Sequence, residues 1–219
     1  MKYGQLPAQL GTYEVECNEM MFYQYLPIKM PNETQPIYEP RLKCFDKLIG
    51  AICCDFIGTY GLDRYVASYV YLTAKMLYVQ PNCSFNRPGY HSDGFMTDDI
   101  NYVWSDKLPT VFNQSEYALT KHHEFSLTEM DIQSLKENEV TFGENTLLRL
   151  DEFNIHKVAD VKEGCMRTFL KVSISKDKYD LLGNSHNYLL DYNWQMKKRQ
   201  LERNIPQTVQ QVKGGNTCP

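Results

Sequence analysis

The sequence lacks any long hydrophobic run, and this excludes a membrane-spanning helix. No stretch approaches the roughly 18 apolar residues that a helix needs to cross a bilayer. The first residues, MKYGQLPAQLGTYEVE, contain no apolar segment of the kind found in signal peptides and become acidic early. We therefore expect a cytoplasmic protein that has no membrane partner.

An excess of basic residues is also missing. Lysine and arginine number 23 against 27 aspartates and glutamates, which gives a formal net charge of −4. Proteins that bind duplex nucleic acid usually show a basic footprint, so such a partner is not expected. The sequence has no GxGxxG, GxxxxGK[ST] or GxSxG motif, and interpretations as a dinucleotide dehydrogenase, a P-loop enzyme or a serine hydrolase have no support.

Paired cysteines are absent as well. The seven cysteines are an odd number, are widely scattered and form no CxxC motif. This usage is typical of free thiols in a reducing compartment. It agrees with the expected cytoplasmic location.

The overall composition is that of a folded protein, with 42% apolar and 23% charged residues. Its 219 residues fit one domain. We expect an N-terminal arm and helices over 1–68, a core over 69–176, and a C-terminal helix and tail over 177–219. The longest apolar periodicity, at steps of three and four from Pro40 to Tyr60, predicts an amphipathic helix that ends at Gly61.

Many short strands are predicted between this helix and the C-terminal one, which we place at 187–204. The strand candidates are the later half of 69–80, YHSDGF, NYVW, 110–112, TLLRL and MRTFLKVSIS. Short strands separated by turn formers favour a barrel or jelly roll. The expected fold class is therefore mainly β with flanking helices (α+β), with the N-terminal helix as a buttress.

The most informative motif is His91-Ser92-Asp93. Residues i and i+2 of a strand lie on one face, so an HxD places an imidazole beside a carboxylate. A second imidazole from a neighbouring strand, such as His156, would complete a two-histidine, one-carboxylate triad. This triad is the arrangement that non-haem Fe(II) oxygenases use.

Arg167 follows His156 by 11 residues, which leaves room for a strand, a turn and the next antiparallel strand. A guanidinium returned beside the metal could hold a carboxylate through two parallel hydrogen bonds. In the strand MRTFLKVSIS, alternation sends Arg167, Phe169 and Lys171 to one face, which we expect to be the barrel interior. The opposite, mostly apolar face should pack against the N-terminal helix.

The order HSD … H … R resembles the Fe(II)- and 2-oxoglutarate-dependent oxygenases, a family with a double-stranded β-helix (jelly-roll, cupin-like) core. The segments RPGYHSDGF and FNIHKVADVKEGCMRTFLKVSIS carry the resemblance, which covers roughly residues 75–176. It implies that His91, Asp93 and His156 ligate iron and that Arg167 binds the distal carboxylate of 2-oxoglutarate.

The sequence departs from this family at one position. Many members have a serine or threonine two residues after the arginine, and here that position is Phe169. Another strand would then supply the helper, with Tyr78 and Thr110 as the two candidates. Trp104, on the strand after the first ligands, either lines the substrate pocket or packs in the core.

The resemblance implies a hydroxylase (dioxygenase) that uses O2 and 2-oxoglutarate and releases succinate and CO2. Its substrate could be a small molecule, a nucleotide or a protein side chain. Two alternatives stay open at this point. One is a non-catalytic jelly-roll protein with a binding or structural role. The other is a cupin-like metal enzyme that does not use 2-oxoglutarate. Arg167 would distinguish the 2-oxoglutarate-dependent hydroxylase from this second alternative.

Overall fold

The computed structural model describes residues 2–81 and 87–199 and shows a mainly β protein with a few helices. Two antiparallel sheets hold ten strands among the described residues. The strands are β1 Ala8–Thr12, β2 Met21–Lys29, β3 Tyr69–Val79, β4 His91–Ser92, β5 Ile100–Ser105, β6 Val111–Asn113, β7 Glu139–Thr141, β8 Thr146–Leu150, β9 Ile155–Lys157 and β10 Cys165–Ser175. The helices are α1 Asp46–Tyr60, α2 Leu62–Ala67 and α3 His123–Gln133, with 3-10 turns at Pro40–Phe45 and Lys136–Asn138.

The chain moves repeatedly between the two sheets. The large sheet has the order β1-β8-β5-β10-β3-β2, and the small sheet has the order β4-β9-β6-β7. The last eight strands therefore form two four-stranded layers, with β1 and β2 added at the two edges of the large one. This arrangement is that of a β-sandwich with a jelly-roll-like core.

The central strand β10 pairs with β3 along its full length and with β5 on its other side. Its side chains alternate as the sequence predicts. Leu170, Val172 and Ile174 belong to the main apolar core, together with residues of α1. Arg167, Phe169 and Lys171 point to the opposite face, where they line a cavity between the sheets.

The helical buttress is confirmed. Helix α1 buries Leu48, Ile49, Ile52 and Phe56 against the outer face of the large sheet. It ends at Gly61, whose φ of 90° lies in the left-handed region that glycine adopts without steric cost. The large sheet thus has one face covered by helix and one face turned towards the cavity.

The N-terminal arm, for which the sequence allows either irregular structure or short strands, contains strands, and β3 is longer than predicted. The first 36 residues include β1 and β2, and β3 begins at Tyr69 instead of in the later half of its segment. In contrast, the strand predicted at YHSDGF is reduced to His91–Ser92, because Asp93 begins a tight turn with Gly94 at a φ of 79°.

The predicted C-terminal helix is wrong over residues 187–199, which contain no helix, and residues 200–204 lie outside the described residues. Tertiary contacts outweigh helix propensity here. The buried Asn187 side chain donates hydrogen bonds to the carbonyls of Pro27 and Ile37. Lys197 forms an isolated parallel β-bridge with Leu181, and both residues line the cavity.

The five described cysteines are free thiols in the structure, among them Cys17 and Cys44, whose Sγ atoms lie 2.9 Å apart. Within residues 2–81 and 87–199, no helix is long and apolar enough to cross a membrane.

A buried ammonium group joins β2 to the end of α2. Lys29 is fully buried, and its Nζ donates to the carbonyls of Ser68 at 2.7 Å, Met30 at 2.9 Å and Val66 at 3.4 Å. Burial lowers the pKa of Lys29 to about 8. All three carbonyls accept a hydrogen bond from Lys29, so each loses this donor if the ammonium group is removed.

We therefore expect Lys29→Met to lower the free energy of unfolding by roughly 2–4 kcal/mol, because buried carbonyls that lose a donor carry a desolvation penalty. Urea denaturation checks this value. Lys47→Met is the matched control, since Lys47 is exposed on α1. Equal stability of the two variants would contradict the structural role of Lys29.

Candidate metal centre

The structure brings His91, Asp93 and His156 together. One ligand atom from each residue lies within 4.8 Å of the others, so the three could hold a metal ion. His91 and His156 are direct cross-strand partners in the pairing of β4 with β9. Asp93 lies in the tight turn that follows β4, and this turn brings its carboxylate close to the two imidazoles.

Both imidazoles are oriented by backbone carbonyls. The Nδ1 atom of His91 lies 3.0 Å from the carbonyl oxygen of Gly89, and that of His156 lies 3.0 Å from the carbonyl oxygen of Asn154. A carbonyl can only accept, so each Nδ1 carries a proton, and Nε2 is the nitrogen of each ring that is left to bind a metal. Histidines that ligate metals are usually fixed in this way.

Electrostatics keep His91 and Asp93 in the protonation states that bind a metal. Burial, helped by the nearby His156, lowers the pKa of His91 to about 3. Burial alone would raise the pKa of Asp93, but Lys171 and the two histidines bring it well below its ordinary value. At neutral pH, His91 is therefore neutral and Asp93 is ionised, as ligation requires.

A lysine that the sequence analysis did not assign contacts this centre. The Nζ atom of Lys171 lies 2.6 Å from Oδ2 of Asp93, and Nε2 of His156 lies 3.5 Å from the same oxygen. Although burial disfavours an ammonium, Asp93 raises the pKa of Lys171 above its ordinary value. In this structure the carboxylate thus has a cationic partner within the chain.

The three residues lie in the wall of a cavity of about 980 Å³ between the two sheets. Arg167 lies in the same cavity and is 5% exposed. Its Nε and one terminal nitrogen donate to the carbonyls of Lys107 and Leu108 at 2.9 and 3.1 Å, and its guanidinium lies 4.8 Å from the centroid of the Phe169 ring. Burial lowers the pKa of Arg167 to about 10, which still leaves it charged at neutral pH.

Of the two candidate helpers of Arg167, only Thr110 lines the cavity. The prediction that Tyr78 assists Arg167 is wrong, because Tyr78 lies on the other face of the sheet. Tyr78 pairs with Met166 on the helix-facing side of the large sheet, and it is 56% exposed. The strand register therefore directs its hydroxyl away from Arg167.

Of the two alternatives for Trp104, the structure supports packing in the core and not the lining of the substrate pocket. Trp104 is 1% exposed and belongs to the apolar core beneath α1. Its Nε1 donates to the carbonyls of Tyr13 and Asn145, both at 2.9 Å. Its neighbours Asn101 and Val103 on β5 line the cavity instead, because alternation gives them the inner face.

Sequence reasoning missed two further residues that line the cavity. Tyr25 reaches it from a bulge in β2, where its φ is 48° and its N–H donates to Oγ1 of Thr73. Lys75 of β3 pairs with Phe169, and burial together with Arg167 and Lys171 lowers its pKa to about 8. The alternation of β3 could have indicated Lys75, whereas the bulge left no signal in the sequence.

The donor set fits a ferrous ion. Two imidazoles and one carboxylate suit Fe(II), and such a face leaves further coordination positions for other ligands. Phe112 packs against His156, with ring centroids 5.6 Å apart, and shields one side of the centre from water.

The low pKa of His91 gives a stability prediction for the metal-free protein. Between about pH 4 and 6.5, the unfolded chain binds a proton at His91 that the folded chain does not bind. Stability should therefore fall as the pH falls, by on the order of 1–2 kcal/mol between pH 7 and pH 5. Urea denaturation at the two pH values checks this, and His91→Gln should remove most of the difference. An unchanged pH slope in that variant would contradict a buried neutral His91.

No protein-family model matches the chain, and no curated protein sequence matches it. Among solved structures, the chain is similar to the crystal structure of EvdO2 from Micromonospora carbonacea var. aurantiaca, with 12% sequence identity and a TM-score of 0.37. The similarity covers 64% of this chain and 68% of EvdO2. At this level the similarity assigns no activity to the chain.

Proposed function

We propose that this protein is an Fe(II)- and 2-oxoglutarate-dependent oxygenase with a double-stranded β-helix core. It would hydroxylate a small molecule, a nucleotide or a protein side chain, with release of succinate and CO2. The observation that carries the proposal is the convergence of His91, Asp93 and His156 in a cavity that also contains the buried Arg167.

The strand order supports the proposed core. The four-stranded layers β8-β5-β10-β3 and β4-β9-β6-β7 face each other across the cavity. The small layer contributes the two histidines through β4 and β9, while the large layer contributes Arg167 through β10. Metal ligands and the co-substrate residue therefore come from opposite walls of the sandwich.

The chain's residues would divide the work as follows. His91 and His156 would hold the metal through Nε2, and Asp93 would hold it through its carboxylate. The bound iron would supply the activation of O2, with 2-oxoglutarate as the source of two electrons. Arg167 is held in place by the Lys107 and Leu108 carbonyls, so its planar guanidinium could meet a carboxylate without a large loss of side-chain entropy.

The non-catalytic alternative has one observation in its favour. The ion pair between Lys171 and Asp93 balances the carboxylate without any metal. In a protein that had lost its metal, such a pair would stabilise the remaining site. Metal affinity therefore separates the two functions.

The first prediction of the proposal concerns the metal. The wild type should bind Fe(II) under anaerobic conditions, and His91→Ala or Asp93→Ala should abolish this binding while leaving the fold largely intact. Calorimetric titration together with circular dichroism measures both properties. His186→Ala is the matched control, because His186 is exposed and lies outside the cavity lining. Binding by both site variants as tight as by the wild type would reject the triad.

The second prediction concerns the co-substrate. A charge-assisted hydrogen bond contributes roughly 1.5–3 kcal/mol, so Arg167→Ala should weaken 2-oxoglutarate binding by about tenfold to a hundredfold. The affinity for the metal should change little. Arg167→Lys should restore only part of the binding, because lysine cannot offer two parallel donors.

Titration of 2-oxoglutarate into the Mn(II)-loaded wild type and variants measures this effect. If Arg167 serves only to join the Lys107 and Leu108 carbonyls, Arg167→Ala will lose stability and keep its 2-oxoglutarate affinity. That result would favour a metal enzyme that does not use 2-oxoglutarate.

A further inference from the structure

Lys171 occupies an unusual position for a cation in a metal centre. Its Nζ lies 2.6 Å from Oδ2 of Asp93, and this oxygen is also the one that faces Nε2 of His156 at 3.5 Å. The ammonium therefore contacts the carboxylate oxygen that also faces Nε2 of His156. A metal ion held through this oxygen by the same three residues would compete with the ammonium for it.

The ammonium group of Lys171 and a divalent metal ion cannot both bind the Asp93 carboxylate equally well. Like charges a few ångströms apart inside a protein repel strongly, because little water is present to screen them. The side chain of Lys171 is only 11% exposed. A divalent metal would thus meet a fixed positive charge, and its binding would include the cost of breaking the pair between Lys171 and Asp93.

Two other cationic side chains lie near Lys171 on the cavity-facing side of the large sheet. Arg167 precedes it by four residues on the same face of β10, and Lys75 lies on the neighbouring strand β3. Burial, together with the nearby Arg167 and Lys171, lowers the pKa of Lys75, as expected where positive charges lie close together. An anion in the cavity would relieve this repulsion and give Lys171 a new partner.

We propose that Lys171 opposes the binding of a divalent metal by pairing with Asp93, and that an anionic ligand in the cavity draws Lys171 away. Metal and an anionic ligand, a dicarboxylate being the class that the row of cations suits best, therefore bind cooperatively. This inference rests on the proposed metal site and adds a control of its loading by a residue outside the triad.

Removal of the charge at Lys171 tests the competition. Titration of Mn(II) alone should show binding to Lys171→Met about tenfold tighter, or more, than to the wild type. Lys171→Gln keeps a hydrogen-bond donor for Asp93 without the charge, and it should show the same direction if the methionine variant folds poorly. Lys178→Met is the control, since Lys178 is an exposed lysine at the cavity edge and makes no ion pair with Asp93. It should bind Mn(II) as the wild type does.

The same titrations in the presence of succinate test the cooperativity. Succinate is a dicarboxylate without the 2-oxo group, so it cannot chelate the metal as 2-oxoglutarate would. It should tighten Mn(II) binding to the wild type by several-fold and have little effect on Lys171→Gln.

The outcomes separate the two proposals. If the wild type binds Mn(II) and the Lys171 variants bind it equally or more weakly, the competition is rejected while the metal site stands. A succinate effect of equal size in wild type and variant would reject the cooperativity. If neither the wild type nor any Lys171 variant binds Mn(II), the proposed metal site is itself rejected.

Discussion

The structure depends on the alternation of side chains along β10, the strand at the centre of the large sheet. Because β10 pairs with β3 on one side and with β5 on the other, it cannot change its register or rotate without breaking the hydrogen bonds to both strands. Its outer face fixes the apolar core against α1. Its inner face therefore has to carry Arg167, Phe169 and Lys171 into the cavity. The burial of two cations follows from the packing of the opposite face.

The small sheet adds a second constraint. Its strands are short, and the pairing of His91 with His156 brings the two imidazoles to one point. Backbone carbonyls two residues before each histidine contact Nδ1 and so leave Nε2 as the nitrogen that can bind a metal on both rings. The metal centre is thus built mainly by the backbone of two short strands, while its charge is set by Asp93 and Lys171.

The sequence was sufficient to predict the features that depend on periodicity and spacing. The α1 helix, the two faces of β10 and the meeting of His91, Asp93 and His156 were all predictable, since each depends on a local pattern or on strand pairing in a sandwich. The absence of a C-terminal helix at 187–199 was not predictable. The bonds of Asn187 to Pro27 and Ile37 join residues far apart in the chain and outweigh helix propensity.

Positions on strands of uncertain register were also poorly predicted. Tyr78 and Trp104 lie on the helix-facing side, and one residue of register decides between that side and the cavity. Tyr25 reaches the cavity through a bulge that the sequence does not signal. The contact of Lys171 with Asp93 depends on the distance between two sheets, which no local pattern contains.

A crystal structure obtained after soaking with Mn(II) and 2-oxoglutarate would show directly whether the three residues bind a metal. We expect one anomalous peak within about 2.3 Å of the Nε2 atoms of His91 and His156 and of the Asp93 carboxylate. Electron density for 2-oxoglutarate should extend from this peak to Arg167. A cavity without such a peak, in which Lys171 still pairs with Asp93, would contradict the claim.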